Sequence, residues 1–549
     1  MKGKPGVPFL SQKGIPATLE ETQRFPYQSP AMANIRAFAV VGVNTLGSRV
    51  LGFVRDSVIA AALGTGFIAD AWVVAFRMPN MFRSLFAEGA FNSSFVPLFS
   101  RRLEEDGREG ALRFAEESLG ALLLAVTAFT VVVEIFMPQF THLIAPGFRA
   151  DPDQFELTVT LSRIAFPYLV FMALVALQGG MLNALGHYAI PAFSPTLLNI
   201  VLVIMLYALK PFVPTVGHAL AWGVIAAGIA QFVIIYWGLT RAGMVPALHR
   251  PRLTPNVRRL AVLAFPGVIS SGITQVNILV GTMISTGQAG AAAVLYYADR
   301  VYQLPLGVIG IAVSVVLLPT LTRALRSGNE AGALESQNRS LEFTLFLTLP
   351  AAAAIATIPL PIVTVLFQHG HFLAADSART AQSLVAFGLG LPAFVLIKGL
   401  TPGFFAREDT VSPLKFAALS IAVNVVTSLT LIFVFHFESR ALAIAIATAL
   451  ASWLNTAMLG GTLARRGYLK PDRQLVTRLP RMVVASVLMG AALWATSAAI
   501  WAPYATTIPM QIALVAGLVL EGLVVYALAS LALRTTTLKE LARMMKRAG

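Results

Sequence analysis

Charged side chains interrupt stretches of this chain that are otherwise apolar enough to cross a lipid bilayer. In the first two stretches they are Arg49, Arg55, Asp56, Asp70, Arg77, Arg83 and Glu88, and a later stretch contains Asp299 and Arg300. A charge near the bilayer centre costs roughly 2.5–3.5 kcal/mol on insertion scales. Such charges need partners, a water-filled cavity or a charged ligand. Because arginines outnumber acids, the excess charge is cationic and indicates an anionic ligand.

Surplus arginines in a partly desolvated cavity predict a site for a diphosphate group. The guanidinium fork donates two parallel hydrogen bonds to phosphate oxygens. The predicted substrate-binding residues are Arg49, Arg55, Arg77, Arg83 and Arg300. The predicted gating or ion-pair residues include the four acids Asp56, Asp70, Glu88 and Asp299. Residues near the ends of spans could instead extend to the lipid headgroups.

Helical periodicity sets which of these charges share a face. On an ideal helix Asp70, Arg77 and Glu88 fall within about 20° of one another, so they form a single polar stripe. Arg49 and Asp56 are seven residues apart and share a face, whereas Arg55 points elsewhere. The alternative to a binding role is therefore internal pairing, of Arg49 with Asp56 and of Arg77 with Asp70 or Glu88.

The composition is that of a polytopic membrane protein. Of 549 residues, 56% are hydrophobic and only 12% are charged, and the mean hydropathy is +0.73. Soluble domains carry about 25% charged residues. The lack of cysteine excludes disulfides and thiolate metal sites. His369 and His371 fall in a predicted aqueous loop, where a solvated loop is favoured over a metal site. With no catalytic or nucleotide-binding motif, we expect a transporter without cofactor, not an enzyme.

A bilayer-spanning helix needs about 20 apolar residues, and fourteen such spans are predicted. They are 35–62, 68–99, 115–139, 156–182, 188–209, 216–240, 257–285, 288–321, 341–367, 376–404, 412–435, 440–464, 479–501 and 508–533. The second and eighth are long, with Pro79 and Pro305 as expected kinks. Lys398 in the tenth span is equally compatible with a functional role and with extension to the headgroups.

The basic loops predict the orientation. Most lysines and arginines between spans fall in 100–114, 241–256 and 465–478, on the same side as the basic tail 536–549. The positive-inside rule places these loops and both termini in the cytoplasm, and it explains most of the net charge of +15. Residues 1–33 are polar and rich in proline, so we expect a disordered cytoplasmic extension, with Met32 as a possible true start.

The chain matches itself at a constant offset of 222 residues. Matched pairs are Pro97 with Pro319, Arg101 with Arg323, Leu103 with Leu325, Ala184 with Ala406 and Pro191 with Pro413. Six spans per copy keep the same orientation, which predicts an N-lobe (34–245) and a C-lobe (246–470) related by an axis along the membrane normal. Residues 471–535 form an appended helix pair. This architecture favours a solute carrier, and the alternative is a duplicated scaffold without transport.

Several motifs resemble the MurJ/MviN family of bacterial lipid II flippases. They are Ser48-Arg49-Val50-Leu51-Gly52-Phe53-Val54-Arg55-Asp56, Ala69-Asp70-Ala71, Ala75-Phe76-Arg77-Met78-Pro79-Asn80, Phe86-Ala87-Glu88-Gly89-Ala90-Phe91, Ala145-Pro146-Gly147-Phe148, Pro195-Thr196-Leu197-Leu198-Asn199, Tyr296-Tyr297-Ala298-Asp299-Arg300 and Pro402-Gly403-Phe404-Phe405-Ala406-Arg407. The resemblance extends from about residue 34 to 535. It implies an all-α fold like that of the MOP exporter superfamily, with two six-helix lobes and two C-terminal helices that form a groove for a lipid tail.

The resemblance also implies site residues. Arg49, Arg55 and Arg300 match essential cavity arginines of the family, and Asp70 matches an essential acid. Gln303 stands where relatives often carry a glutamate, so the acidic switch residue of the family is in doubt here.

The implied partner is lipid II, an undecaprenyl-diphosphate-linked muropeptide, in the bacterial inner membrane. Membrane lipids and the cell-wall synthesis machinery are further expected partners, and nucleic acid is not. A cationic lumen would bind the diphosphate while alternating access moves the head to the periplasmic face. Alternatives are an exporter of another polyprenyl-diphosphate glycan or of a cationic drug, and a scaffold for cell-wall enzymes.

Overall fold

A computed structural model describes residues 30–84 and 90–535, and within these ranges every regular element is helical. The α-helices are α1 (Pro30–Leu63), α2 (Phe67–Arg83), α3 (Ala90–Glu105), α4 (Gly107–Ile135), α5 (Met137–Ile144), α6 (Pro152–Ala165), α7 (Tyr168–Ala184), α8 (Ala189–Leu209), α9 (Val216–Ala242), α10 (Pro255–Ser285), α11 (Ala291–Arg326), α12 (Glu330–Thr357), α13 (Pro359–Phe367), α14 (Ala374–Phe405), α15 (Val411–Phe433), α16 (Arg440–Arg465), α17 (Arg473–Tyr504) and α18 (Ile508–Ala532). Two short 3-10 turns cover Pro146–Ala150 and Lys210–Phe212.

Long apolar helices make this a multi-pass membrane protein, as predicted. Ten helical segments in the described ranges are long and apolar enough to cross a bilayer. The total of fourteen spans stays a prediction. Residues 1–29 lie outside the description, and α1 begins at Pro30, inside the segment expected to be disordered.

Prolines divide two of the predicted spans into separate helices. The fourth span is divided into α6 and α7 at Pro167, and the ninth into α12 and α13 at Pro359. Proline has no N–H to donate to the preceding turn, which ends a helix readily. Pro79 and Pro305 instead lie inside α2 and α11, which continue past them.

The helix boundaries repeat at the predicted offset of 222 residues. α4 and α5 of the first half correspond within one residue at each end to α12 and α13 of the second half. The packing repeats as well, because α8 lies against α9 as α15 lies against α16. We call α1–α9 the N-lobe and α10–α16 the C-lobe. The lobes differ in continuity, since α6 and α7 together correspond to the unbroken α14.

Small residues allow close contact between helices in the C-lobe. α14 packs against α11, α12 and α16. A Cβ at Gly390 would lie 2.9 Å from the Cβ of Ala449, and one at Gly388 would lie 2.7 Å from Ile355. Between membrane helices, association depends on such close packing, because lipid tails are as apolar as the side chains.

The appended helices α17 and α18 are anchored to α12. Arg339 pairs with both Glu342 and Asp472, and Arg478 lies 2.5 Å from Glu342. Further along, the Tyr526 hydroxyl donates to the Phe346 carbonyl at 2.8 Å. The C-terminal pair therefore has fixed contacts with the C-lobe.

Candidate functional site

A buried carboxylate, Asp56, lies between two arginines from different lobes. Arg55 donates from Nε and Nη2 to Asp56 Oδ1 at 3.0 and 2.7 Å. Arg300 of α11 places its Nε 3.5 Å from Asp56 Oδ2, and the Tyr296 hydroxyl donates to Oδ1 at 3.0 Å. The Asp56 side chain is 2% exposed. One carboxylate faces two guanidinium groups, so this cluster keeps a net positive charge.

The two arginines of the cluster differ in the donors they have left. Arg55 is buried, and its Nη1 donates to Asn199 Oδ1 of α8 at 2.8 Å. Arg300 is 32% exposed, and its Nε makes no hydrogen bond to any group in the described ranges. The Arg300 guanidinium lies 4.7 Å from the centre of the Tyr296 ring. Arg300 is therefore the arginine of this pair that has capacity for a ligand.

The alternative in which Arg49 pairs with Asp56 is wrong for this structure. Asp56 is occupied by Arg55 and Arg300, although Arg55 was expected to point elsewhere. Arg49 instead lies against Gly307 of α11, where a Cβ would overlap its guanidinium. Gly307 is seven residues beyond Arg300 on α11, so both face the same side of that helix. The bare backbone at Gly307 leaves the space that Arg49 occupies.

Asp70 does not pair with Arg77 but binds the N-terminus of α11. Its Oδ2 accepts from the Gly290 N–H at 2.6 Å, and its Oδ1 accepts from the Ala293 N–H at 2.8 Å. Asp70 is fully buried. The first N–H groups of a helix have no partner within it and carry partial positive charge, so a carboxylate there is stabilising. Asp70 thus joins α2 of the N-lobe to α11 of the C-lobe.

The other predicted residues are distributed around this pair of lobes. Arg77 donates to Thr282 of α10, so Asp70 and Arg77 both face the C-lobe, as the predicted stripe requires. Asp299 accepts from Gln303 one turn further along α11. Arg83 ends α2 and makes contacts of its own. Glu88 lies outside the described residues.

Four loops close the lobes together at the Asp70 end of the bundle. They are 64–66, 145–147, 286–290 and 368–373, and we call them the latch. The loop 368–373 packs on α1, because the His371 N–H donates to the Ala61 carbonyl at 2.8 Å, and it keeps Gly370 and His371 exposed, as expected for an aqueous loop. A Cβ at Gly64 would lie 2.5 Å from the His371 carbonyl oxygen. Across the repeat axis, Gly147 donates to Thr286 Oγ1 at 3.2 Å.

A polar cluster strengthens the latch. Thr65 donates to Asp376 Oδ1 at 2.5 Å, and Arg379 donates to the same oxygen at 2.7 Å and to Thr65 at 3.0 Å. These contacts join the α1–α2 turn to the beginning of α14. No group of three or more potential metal ligands occurs in the described part of the chain.

Aromatic rings fill the interface near the arginine cluster. Tyr297, beside Tyr296, packs against Phe367 and Phe372 with ring centres 5.2 and 5.3 Å apart. Phe53 of α1 stacks on Phe367 at 5.9 Å. These rings join α1 to the C-lobe in an apolar layer.

Sequence reasoning identified the charges but missed their neutral partners. Asn199 and Tyr296 lie within motifs quoted above, yet nothing in their spacing connects them to Arg55 or Asp56. Lys398 extends its aliphatic stem along Gly310 of α11, one turn beyond Gly307. This contact places Lys398 near the helix that carries Arg300.

Comparison with known proteins identifies the family. A family model described as "Lipid II flippase MurJ" matches residues 59–515. The chain is 48% identical to "Probable lipid II flippase MurJ" of Rhizobium meliloti (strain 1021), over 94% of this chain and 97% of that protein. It is 46% identical to a protein of the same name from Rhizobium tropici, over 84% and 86% of the two chains.

The chain belongs to the lipid II flippase MurJ family. Its fold is similar to that of a solved "Lipid II flippase MurJ, inward closed conformation", with a TM-score of 0.74 and 23% identity over 90% of this chain and 98% of that one. A MATE multidrug transporter of the MOP superfamily in an inward-facing conformation shares the fold at a TM-score of 0.63 and 14% identity, over 76% and 95% of the two chains. The fold expected from the MurJ resemblance is confirmed.

Proposed function

We propose that this protein is a lipid II flippase, which moves the diphosphate-sugar-peptide head of the lipid from the cytoplasmic to the periplasmic leaflet of the bacterial inner membrane. Its relatives carry this name at up to 48% identity among those compared above. The observation that carries the proposal is the Asp56 cluster, in which arginines from both lobes share one carboxylate. Because two arginines share one carboxylate, the cluster has an uncompensated positive charge, which a bound anion would neutralise.

The diphosphate is the part of lipid II that this cluster fits. The Arg300 side chain is 32% exposed, so its guanidinium can donate to phosphate oxygens while the buried Nε keeps its ion pair with Asp56. Charge-assisted hydrogen bonds of this kind are about twice as strong as neutral ones. Arg49, held at Gly307, offers a second guanidinium on the same side of α11.

The remaining cations have supporting roles in the proposal. Arg55 is fully engaged by Asp56 and Asn199, so in this conformation it positions Asp56. It becomes a direct ligand only if the diphosphate displaces Asp56. Arg77 and Arg83 on α2 extend the positive surface. Gln303 donates a hydrogen bond to Asp299, the residue that precedes Arg300.

The latch supports a mechanism of alternating access. In this proposal both termini are cytoplasmic, so the latch lies at the periplasmic end, where its contacts hold the two lobes together. Opening to the periplasm requires separation of Asp70 from Gly290 and Ala293. Diphosphate binding would offset repulsion between Arg55 and Arg300 and allow the lobes to rearrange around the neutralised site.

The tail of the lipid needs a path outside the cavity. α17 and α18 expose many large apolar side chains, among them Trp494, Leu520 and Leu523. In this proposal a polyprenyl chain lies along that pair while the head crosses between the lobes. Transport then needs no catalytic residue.

The test is depletion of the protein in its host, with complementation by wild type or by variants, while the sidedness of lipid II is assayed. Arg300→Ala and Arg49→Ala should leave lipid II on the cytoplasmic face, whereas Asn424→Ala, a neutral change in the C-lobe, should clear it. Protein levels of all variants are measured in parallel. Normal sidedness after depletion would reject lipid II as the cargo, and clearance by Arg300→Ala would reject the site.

A further inference from the structure

A second cationic surface lies where residues 243–254, the linker between the two lobes, meet the first turn of α10. Here a cavity of about 460 Å³ is lined by Leu253, Arg258, Arg259, Val262 and Leu263, among others. It involves none of the cavity charges on α1, α2 and α11. We propose that this cavity binds the headgroup of an anionic glycerophospholipid.

The two arginines are available for such a headgroup. Both are exposed, and neither forms an ion pair with another residue in the described ranges. The nearby carboxylates have other partners. Glu117 accepts from Thr254 at 2.8 Å and from Asn256 at 3.1 Å. Glu116 accepts from the Ala247 N–H at 3.0 Å.

These contacts also shape the cavity. Because Glu116 and Glu117 hold the linker against α4, residue 253 and the first turn of α10 keep a fixed separation. Arg102 donates to Asn256 Oδ1 at 2.8 Å and so ties α3 to the same turn. The cavity is therefore lined by the linker and α10, and contacts from α3 and α4 of the N-lobe hold these lining segments in place.

The walls of the cavity match a lipid and not a free anion. Leu253 is 92% exposed, and Val262, Leu263 and Phe265 are also exposed. Val262 and Leu263 follow Arg258 and Arg259 by four residues, so each arginine has an apolar side chain one turn deeper along the helix. Arginine at headgroup level above apolar side chains is the arrangement expected of a phospholipid site.

The position of the cavity connects it to both lobes. α10 packs against α3 and α4 of the N-lobe and against α15 and α16 of the C-lobe. A lipid seated at the start of α10 lies on the helix that joins the lobes. The inference concerns binding alone, so its outcome is independent of the cargo proposed above.

The test uses the purified full chain in a neutral detergent, with lipid binding followed by native mass spectrometry. Dioleoyl phosphatidylglycerol should bind about 30-fold more tightly than dioleoyl phosphatidylcholine, the effect expected of two basic residues near an anionic group. R258Q/R259Q should remove most of this preference for phosphatidylglycerol. Each single variant should reduce the preference about fivefold. R258K/R259K, which keeps the charge, should retain it.

The matched control is R473Q/R481Q, which removes two exposed arginines from the predicted cytoplasmic side of α17. Its preference for phosphatidylglycerol should equal that of wild type. Equal binding of the two phospholipids to wild type, or an equal loss in the control, would overturn the proposal. So would competition by inorganic phosphate as effective as that by phosphatidylglycerol, or binding of a polyprenyl diphosphate in preference to it.

Discussion

The same helix contact is charged in one lobe and neutral in the other. In the N-lobe, Arg55 of α1 donates to Asn199 of α8 at 2.8 Å. In the C-lobe, the residue 222 positions later is Asn277 of α10, which accepts from Asn424 of α15 at 2.9 Å. Both halves use a polar contact to join equivalent helices. Only the N-lobe adds a charge to it.

The next residue in each lobe shows what that charge does. After Arg55 comes Asp56, which extends the contact to Arg300 across the lobe interface. After Asn277 comes Ile278, which is 43% exposed and apolar. The repeat therefore supplies two copies of a scaffold, whereas the chemistry is built once, from the N-lobe acid and the C-lobe arginine.

The largest effect is expected from Asp56→Asn. It leaves Arg55 and Arg300 without a counter-charge in a buried site, which costs about 3–5 kcal/mol of stability. Ile278→Ala at the equivalent C-lobe position should cost less than about 1 kcal/mol. Chemical unfolding of the purified variants measures both. Equal losses would show that the two lobes do not differ in this way.

Asp70→Asn should weaken the latch by about 2 kcal/mol, because hydrogen bonds from the α11 N–H groups to a charged acceptor become bonds to a neutral one. The chain has no cysteine, so Thr65→Cys with Arg379→Cys reports closure through the rate of cross-linking. Asp70→Asn should slow this reaction. Asp409→Asn, which neutralises a carboxylate near the opposite end of α14, should leave the rate of cross-linking unchanged. Unaltered cross-linking in Asp70→Asn would contradict the latch role.

The loss of stability in Gly64→Ala, compared with that in Gly186→Ala, tests whether tight packing contributes to the latch. Both glycines have positive φ, 65° and 82°, so each alanine carries about 1–2 kcal/mol of backbone strain. Only the Gly64 Cβ would also meet a neighbour, the His371 carbonyl oxygen, whereas Gly186 has open space. Gly64→Ala should therefore lose about 1–2 kcal/mol more free energy of unfolding than Gly186→Ala, as measured by thermal unfolding. Similar losses in both variants would argue against tight packing at the latch.

Asn424→Ala should have the smallest effect, about 1 kcal/mol, because it removes only neutral hydrogen bonds, a short one to Asn277 and a long one from Ser428. Flipping in the complementation assay should be retained. Asn199→Ala removes the equivalent contact in the N-lobe but frees a donor of Arg55, so flipping should fall. If both variants flip equally well, the N-lobe contact has no special role.

Much of the architecture could be predicted because it depends on local properties of the chain. Runs of apolar residues identify the helices, and the offset of 222 residues predicted helix boundaries in the second half from those in the first. Periodicity correctly placed Asp70 and Arg77 on one face of α2.

The partners of the charges could not be predicted in this way. Arg49 and Asp56 share a face of α1, but seven residues separate them by about 10.5 Å along the helix axis. The neighbouring Arg55 reaches Asp56 directly. The partners of Asp70 are the N–H groups of Gly290 and Ala293 at the N-terminus of α11, more than 200 residues later in the chain.

The order of residues alone predicts a multi-pass helical protein with two repeated halves, surplus arginines within apolar spans and the motifs of its family. Hydrophobicity and periodicity are local properties, so they can be recognised in the sequence before the fold is known. The folded chain was needed to show that Asp56 bridges the lobes, that Asp70 binds a helix N-terminus and that loops containing glycine close one end. These choices depend on which helix faces are brought together, and contacts between residues distant in the chain decide that.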